Sequence, residues 1–579
     1  MPFRNSPSIL TSHTHTYTMQ DPADLAQDHT SRKKRPRKGS AFWMTFLAIV
    51  VSTFLSALDL TAVSTALPTI TKRLGGGSNF VWVGSAYSLA STAFLPLLGR
   101  LADVFGRKPV MLTSIGLFAI GSAISGASQN MNMLIGARTV QGIGGGGIIS
   151  MSQIIVSDIV PLAERGLYQG FLGLTWAFAS GIGPPLGGAL ASSVWRWLFF
   201  LNLPITFIAF CLVVFFLRVR RPAGSMREKL ARVDWLGNAI VITGTTVAMI
   251  GLTWAGISEP WDSAATLVPL IVGMFLVGAF LIYEAKVPAE PTMPYDALTN
   301  RTVVSAYVAT GVHGIVSISV IYYLPVYFQG CFGASPIRSG VDALSMALLI
   351  APAAMTAGVM VQTMKRYIPP NALGWVLSLI GFGLLTMLKW NTSTGKWVGY
   401  TMVTACGIGL IYASTIFPIL APLPLERTAA AVAFYAFVRA FAQTWGITIS
   451  ATILQNELKK KLPSAFASQF PAGFEIAYAA IPVISGLPEP LRTEVRAAFA
   501  ASLATVWQTM IGLSGLGLLS LLFLKEVRLR HEVDEAYGLH EKNEHAHARG
   551  HRHEEDNETD VTVTKVDSRA TDPNASAKV

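Results

Sequence analysis

The sequence predicts an all-α membrane protein with fourteen transmembrane helices, and three observations lead there. Of 579 residues, 51% are hydrophobic and only 13% charged, whereas soluble globular chains carry about 25% charged residues. The charge gathers in the two tails and a few short clusters, which leaves long stretches almost free of it. Those stretches divide into fourteen apolar runs of the roughly 20 residues that a bilayer requires. They lie near 42–67, 80–99, 109–129, 132–156, 167–190, 198–217, 235–257, 265–284, 303–329, 339–362, 372–390, 398–420, 430–453 and 503–524. The twelfth is the weakest, because "FPILAPLPLE" interrupts it.

Lys and Arg in short loops orient such a chain, since they accumulate on the cytosolic side. With the N-terminus in the cytosol, the inner side receives Arg32–Lys38, Arg100, Arg107, Lys108, Arg165, Arg218–Arg232, Lys286, Arg301, Lys365, Arg366 and Lys525. The short outer loops receive fewer: Lys72, Arg73, Arg196, Arg338, Lys389 and Lys396. An even span count returns the C-terminus to the cytosol. The net charge of +11 is read as this loop bias, with no nucleic-acid partner expected.

The first forty residues are polar, and no cleavable signal peptide is expected; the first span itself would target the chain. "RKKRPRK" before that span reads as an orienting or lipid-contacting segment rather than a nuclear address. Residues 525–579 form a mixed-charge, His-rich tail. A solvated disordered tail is the reading preferred over a metal site at His545, His547, His551 and His553. Three cysteines exclude a disulfide framework; Cys211 and Cys406 are expected within spans and Cys331 outside. A long outer loop is expected at 455–502, with "SAFASQF" and "RTEVRAAFAASLA" as short surface helices. "NTS" at Asn391 is a glycosylation candidate on a short outer loop.

Asp59 is the residue that points to mechanism. It sits inside the first apolar run, and Ser52, Ser56 and Asp59 share one helical face. That polar stripe is expected to line a cavity. An intramembrane carboxylate is a functional candidate by default. Arg138 and Gln141 stand on the fourth span. Arg138 is about 9 Å and Asp59 about 12 Å below the outer surface by helical rise, so the two are placed at similar depth. Burial favours the neutral acid and a nearby arginine favours the carboxylate. Changing their separation would therefore couple proton uptake to conformation.

Two further stretches look mechanical. "GRLADVFGRKPV" joins the second and third spans, and its Asp103 and Arg107 can pair across one helical turn. "GFLGLTWAFASGIGPPLGG" concentrates small residues and a double proline in the fifth span, which suits a pliable, closely packed helix. In the second half, Ser56 has counterparts as substrate-cavity candidates in His313, Arg439 and Gln443.

Together these residues resemble the major facilitator superfamily, in its fourteen-span branch of drug:proton antiporters. Gly99, Asp103, Gly106, Arg107 and Lys108 are similar to the family's loop signature, with Val104 where a basic residue is usual. Arg138, Gln141 and Gly142 resemble the fourth-span signature linked to proton transfer. Gly170, Gly183, Pro184, Gly187 and Gly188 resemble the antiporter signature, with Ala179 in place of a glycine. "LDLTAVSTALP" is similar to the first-span signature of this branch, with Ser64 replacing an asparagine. "WRWLFFLNLP" and "YYLPVYFQ" also look like that branch, especially its fungal members. In the second half Gly358 and Arg366 echo the loop signature, but Gln362 replaces its acid.

The resemblance covers roughly residues 41–530. It implies two six-helix bundles, 41–217 and 303–524, separated by a cytosolic linker and two inserted helices at 218–302. It implies alternating access with substrate bound near the midplane, and proton-coupled export of amphiphilic compounds such as drugs or fungal toxins. A proton-coupled importer of ferric siderophores is the nearest alternative. No cofactor or metal is expected, and the partners are a small molecule, protons and lipid around a monomer. The plasma membrane is favoured over the vacuolar membrane. No HExxH, GxSxG or P-loop motif supports an enzyme or an ATP-driven pump.

Overall fold

A computed structural model describes residues 38–529, apart from 75–80, 220–224, 256–258, 289–290, 294–297 and 470–475. Most of "RKKRPRK" and the whole histidine tail lie outside the described residues. The chain begins with α1 (Ser40–Leu74), α2 (Val81–Ala93), α3 (Leu95–Phe105), α4 (Arg107–Gly126), α5 (Met131–Ile159) and α6 (Arg165–Ser193). There follow α7 (Trp197–Phe200), α8 (Asn202–Phe216), α9 (Met226–Ala231), α10 (Trp235–Trp254) and α11 (Ala264–Lys286). The second half holds α12 (Arg301–Phe332), α13 (Pro336–Met364), α14 (Ile368–Leu385), α15 (Thr394–Ser414), α16 (Phe417–Leu420) and α17 (Thr428–Lys461). It closes with α18 (Ser464–Ala467), α19 (Ile476–Ile484) and α20 (Leu491–Ser520).

Among the described residues, eleven helices are long and apolar enough to cross a membrane, or twelve if α2 and α3, bent by 43°, form one span. The bend has a local cause. Pro96 stands in the first turn of α3 and cannot donate a backbone hydrogen bond. The fifth and thirteenth expected spans coincide with α6 and α17, of 29 and 34 residues. Both fall outside the apolar count, although helical rise makes them about 44 Å and 51 Å long.

Several sequence expectations are corrected. "RTEVRAAFAASLA" is no surface helix; it is the start of α20. Val495, Ala498, Phe499 and Leu503 in it are buried, and their helical spacing carries one apolar face straight into the last span. "SAFASQF" yields only the single turn α18, with Phe466 buried. Between them α19 packs on α12, α17 and α20. Lys72 and Arg73 lie on the end of α1, not in a loop. Cys331 lies in the last turn of α12 and is fully buried. That helix ends at Gly333, whose φ of 67° suits glycine.

Helices α1–α8 pack together, and so do α12–α20. The inserted pair α10–α11 packs as a hairpin, with Gly273 tight against Ala248; α10 also touches α2 and α17 and thus bears on both groups. The two groups meet where α6 runs along α13 and where α3 and α5 cross α17. At one end their side chains merge into a single apolar core that includes Met111, Phe118, Tyr168, Phe417 and Phe434.

Candidate functional site

Asp59 is 1% exposed and is met from three sides. Arg138 Nη1 donates to Asp59 Oδ2 at 2.5 Å, while Gln141 Nε2 and Asn202 Nδ2 donate to Oδ1 at 2.9 and 2.8 Å. Arg138 and Gln141 are fully buried, one turn apart on α5. Arg138 also donates to Gln141 Oε1 at 2.7 Å and to the Val83 carbonyl at 3.2 Å. Its guanidinium lies 4.4 Å above the Tyr87 ring. Ser122 on α4 closes the network by accepting from both Gln141 and Asn202. An ion pair removed from water survives only with good geometry and satisfied hydrogen-bonding groups. Here both conditions are met.

Glycines permit this approach. A Cβ at Gly142 would come 2.4 Å from the Tyr87 carbonyl, and one at Gly145 would come 2.1 Å from the Tyr87 hydroxyl. The polar stripe on α1 therefore faces packed protein rather than an open cavity. Ser52 bonds to its own helix at Ala48, and Ser56 shares a hydrogen bond with Tyr87. Sequence reading brought Asp59, Arg138 and Gln141 together but missed Asn202, Ser122 and Tyr87. Asn202 stood inside the quoted "WRWLFFLNLP", and its place among aromatic residues at a span's start was the available signal. Asn202→Leu should remove two hydrogen bonds and destabilise the purified protein by about 1–3 kcal/mol. An unchanged unfolding midpoint in detergent would show that Asn202 does not brace Asp59.

The loop residues form a second buried cluster. Arg107 is 1% exposed. Its Nη1 lies 3.1 Å from Asp103 Oδ1, and its Nε donates to Asp158 Oδ2 at 2.7 Å. Nη1 also donates to the Ala102 carbonyl. Asp158, at the far end of α5 from Arg138, was not foreseen. Gly106 turns the chain with φ 93°, a conformation glycine adopts freely. Lys108 Nζ donates to the Val214 carbonyl at 2.6 Å, tying α4 to the end of α8. Gly99 faces Ala433 on α17 so closely that a Cβ there would lie 2.2 Å from it. The cluster thus sits where the two groups of helices touch.

Helix α6 continues through "GPPLGG" without a break. Gly183 packs on Thr61 of α1, and Thr61 donates to the carbonyl of Ala179. Gly170 meets Met355 on α13, and Gly166 meets Gly358 backbone to backbone. Gly188 faces open space. These small residues let α6 lie against both groups.

The second-half candidates form their own cluster. Arg439 lies 4.2 Å over Tyr412 and 4.6 Å over Tyr435, and donates to the Tyr412 carbonyl. His313 is buried against the Ile408 carbonyl and near the Tyr412 ring. Gln443 is half-buried one turn further along α17. A separate apolar cavity of about 280 Å³ lies between α11, α12 and α17, lined by Phe280, Gly311, Phe437, Phe441 and Trp445. Asn391 is exposed in the α14–α15 turn.

Residues 49–447 match the family model described as Major Facilitator Superfamily. The "Efflux pump FUS6" of Gibberella fujikuroi is 38% identical over 515 residues, covering 87% of this chain and 93% of its own. The "MFS-type efflux pump LUC4" of a Fusarium species is 39% identical over 523 residues, covering 89% and 93%. Among solved structures, the human organic anion transporter MFSD10 superposes with a TM-score of 0.54 at 15% identity, covering 84% of this chain and all of its own. The proton:xylose symporter XylE gives 0.51 at 12% identity, covering 79% and 98%. At those identities the two structures speak for the fold alone. The family match spans most of the chain and the two fungal pumps nearly its full length, so this multi-pass membrane protein belongs to the major facilitator superfamily.

Proposed function

We propose that the protein exports amphiphilic organic compounds in exchange for inward-moving protons, by alternating access between two six-helix units, 41–217 and 303–524. The observation that carries the reading is the buried Asp59–Arg138 pair, hydrogen-bonded through Gln141 and Asn202. The fungal relatives are named as efflux pumps, which supports the direction. In this reading α6 and α17 complete fourteen spans, with both termini in the cytosol and the plasma membrane as the site.

A proton arriving from outside neutralises Asp59 and loosens its hold on Arg138. Breaking one partner of a buried pair is worth about 3–5 kcal/mol. Moving a two-state equilibrium from 1:99 to 99:1 takes about 5.5 kcal/mol. A single protonation is thus of the right order to reset which side is open. The Arg107–Asp103–Asp158 cluster holds the cytosolic face shut, and substrate sits between the halves within reach of His313, Arg439 and Gln443.

The test is flux in proteoliposomes with an imposed pH gradient, across dyes, azoles and ferric siderophores. Outward movement of amphiphilic dyes or azoles, collapsing when the gradient is dissipated, is expected. Gradient-driven uptake of a siderophore with no dye or azole export would replace this reading with the importer.

A further inference from the structure

The inserted hairpin carries a pair of acids that the coupling mechanism does not use. Asp234 caps α10, its Oδ1 accepting from Gly237 N at 3.0 Å and from the Tyr283 hydroxyl at 3.1 Å. Glu284, near the end of α11, is 4% exposed, and its Oε2 accepts from Met293 N at 3.3 Å. One oxygen of each carboxyl is therefore fixed by donors. The other oxygens, Asp234 Oδ2 and Glu284 Oε1, are buried with no hydrogen-bond partner among the described residues. They face each other. A Cβ built at Gly237 would lie 2.1 Å from Asp234 Oδ2 and 3.0 Å from Glu284 Oε1.

No lysine, arginine or histidine among the described residues bonds to either carboxyl. From α10, Asn238 Nδ2 is directed at Thr292 and at the Asp234 carbonyl. Arg232, just ahead of Asp234, gives its carbonyl to Arg100 Nη2 at 2.7 Å. From α2, which packs on α10, the one ionisable group is Tyr87, bonded to Ser56. On α17, Arg439 stacks on two tyrosines, and Lys460 and Lys461 pair with Glu457. Two neighbouring carboxylates with no cation between them repel, and a proton shared between them relieves that repulsion.

We propose that Asp234 and Glu284 form a second proton-binding site, one proton being shared between Asp234 Oδ2 and Glu284 Oε1. The proton comes from water and returns to it, leaving two repelling carboxylates. While bound, it ties the first turn of α10 to the last turns of α11. The Arg100–Arg232 contact places the pair at the same end as the Arg107 cluster. That end is cytosolic if the orientation proposed above holds. Because α10 bears on both groups of helices, loss of the proton at higher cytosolic pH would loosen the hairpin's seat between them.

The site can be tested without substrate or transport, so its failure is separate from that of the antiport reading. Infrared pH-difference spectra of the full-length protein in lipid nanodiscs should contain a carboxylic-acid carbonyl band that titrates away as pH rises. The band should vanish in Glu284→Gln and Asp234→Asn and survive in Asp59→Asn. Thermal stability of wild type should fall as pH rises, because the folded state holds a proton that the unfolded chain releases. Glu284→Gln should lose this dependence, because its amide donates to Asp234 Oδ2 at every pH. A band that persists in Glu284→Gln overturns the proposal. So does a wild-type midpoint that drops on chelation with EDTA while that of Glu284→Gln does not, since the pair would then hold a metal ion.

Discussion

Asp59→Asn is expected to lower pH-driven flux by about 100-fold or more, while substrate exchange without a gradient continues. The amide is isosteric with the carboxyl, and its oxygen can still accept from Gln141, Asn202 or Arg138. It carries no charge and binds no proton, so the outside pH no longer biases the equilibrium between the two open states. A ligand that binds both states equally shifts neither, and for this variant the proton becomes such a ligand. The discriminating measurement is the ratio of gradient-driven flux to equilibrium exchange in the same proteoliposomes. A variant that runs down a proton gradient as fast as wild type would remove Asp59 from the mechanism. Arg138→Lys adds a control. It keeps the charge but loses the planar fork that reaches Asp59, Gln141 and Val83 together, so its coupling should be weakened rather than abolished.

The second large effect is expected at the other end of α5. Arg107→Ala leaves Asp158 and Asp103 facing each other without the cation between them. Breaking a buried pair of this kind costs about 3–5 kcal/mol, and the cost falls on the state in which the two groups of helices touch. Cysteines introduced on α3 and α17 beside Gly99 and Ala433 should crosslink in an otherwise wild-type background. They should do so several-fold less with Arg107→Ala. Asp158→Asn should behave in the same direction but less severely, since Asp103 still pairs with Arg107. If crosslinking is unchanged in both variants, the cluster stabilises the loop alone and does not latch the halves.

Much of the Asp59 cluster was legible because its chemistry is out of place. A carboxylate in an apolar run has few structural excuses, and helical rise alone put Arg138 at a matching depth. The loop cluster was half legible. Asp103 and Arg107 are one turn apart in sequence, whereas Asp158 is 51 positions from Arg107. Only the antiparallel packing of α4 on α5 brings them into contact. The serine stripe misled for a similar reason. Periodicity says which residues share a face but not whether that face meets water or a neighbouring helix, and the glycines of α5 let α2 close over it.

The sequence by itself determined that this chain lives in a membrane, roughly where its helices lie, and which charges are too costly to be ornamental. Those are consequences of composition, of the length a bilayer demands and of the energy of an isolated ion in hydrocarbon. The tertiary structure decided who meets whom: Asn202 and Ser122 at Asp59, Asp158 at Arg107, Gly166 at Gly358, and Asp234 at Glu284. Such contacts depend on how separate helices dock, and docking is set by small residues and shape over many positions at once, which no local pattern records.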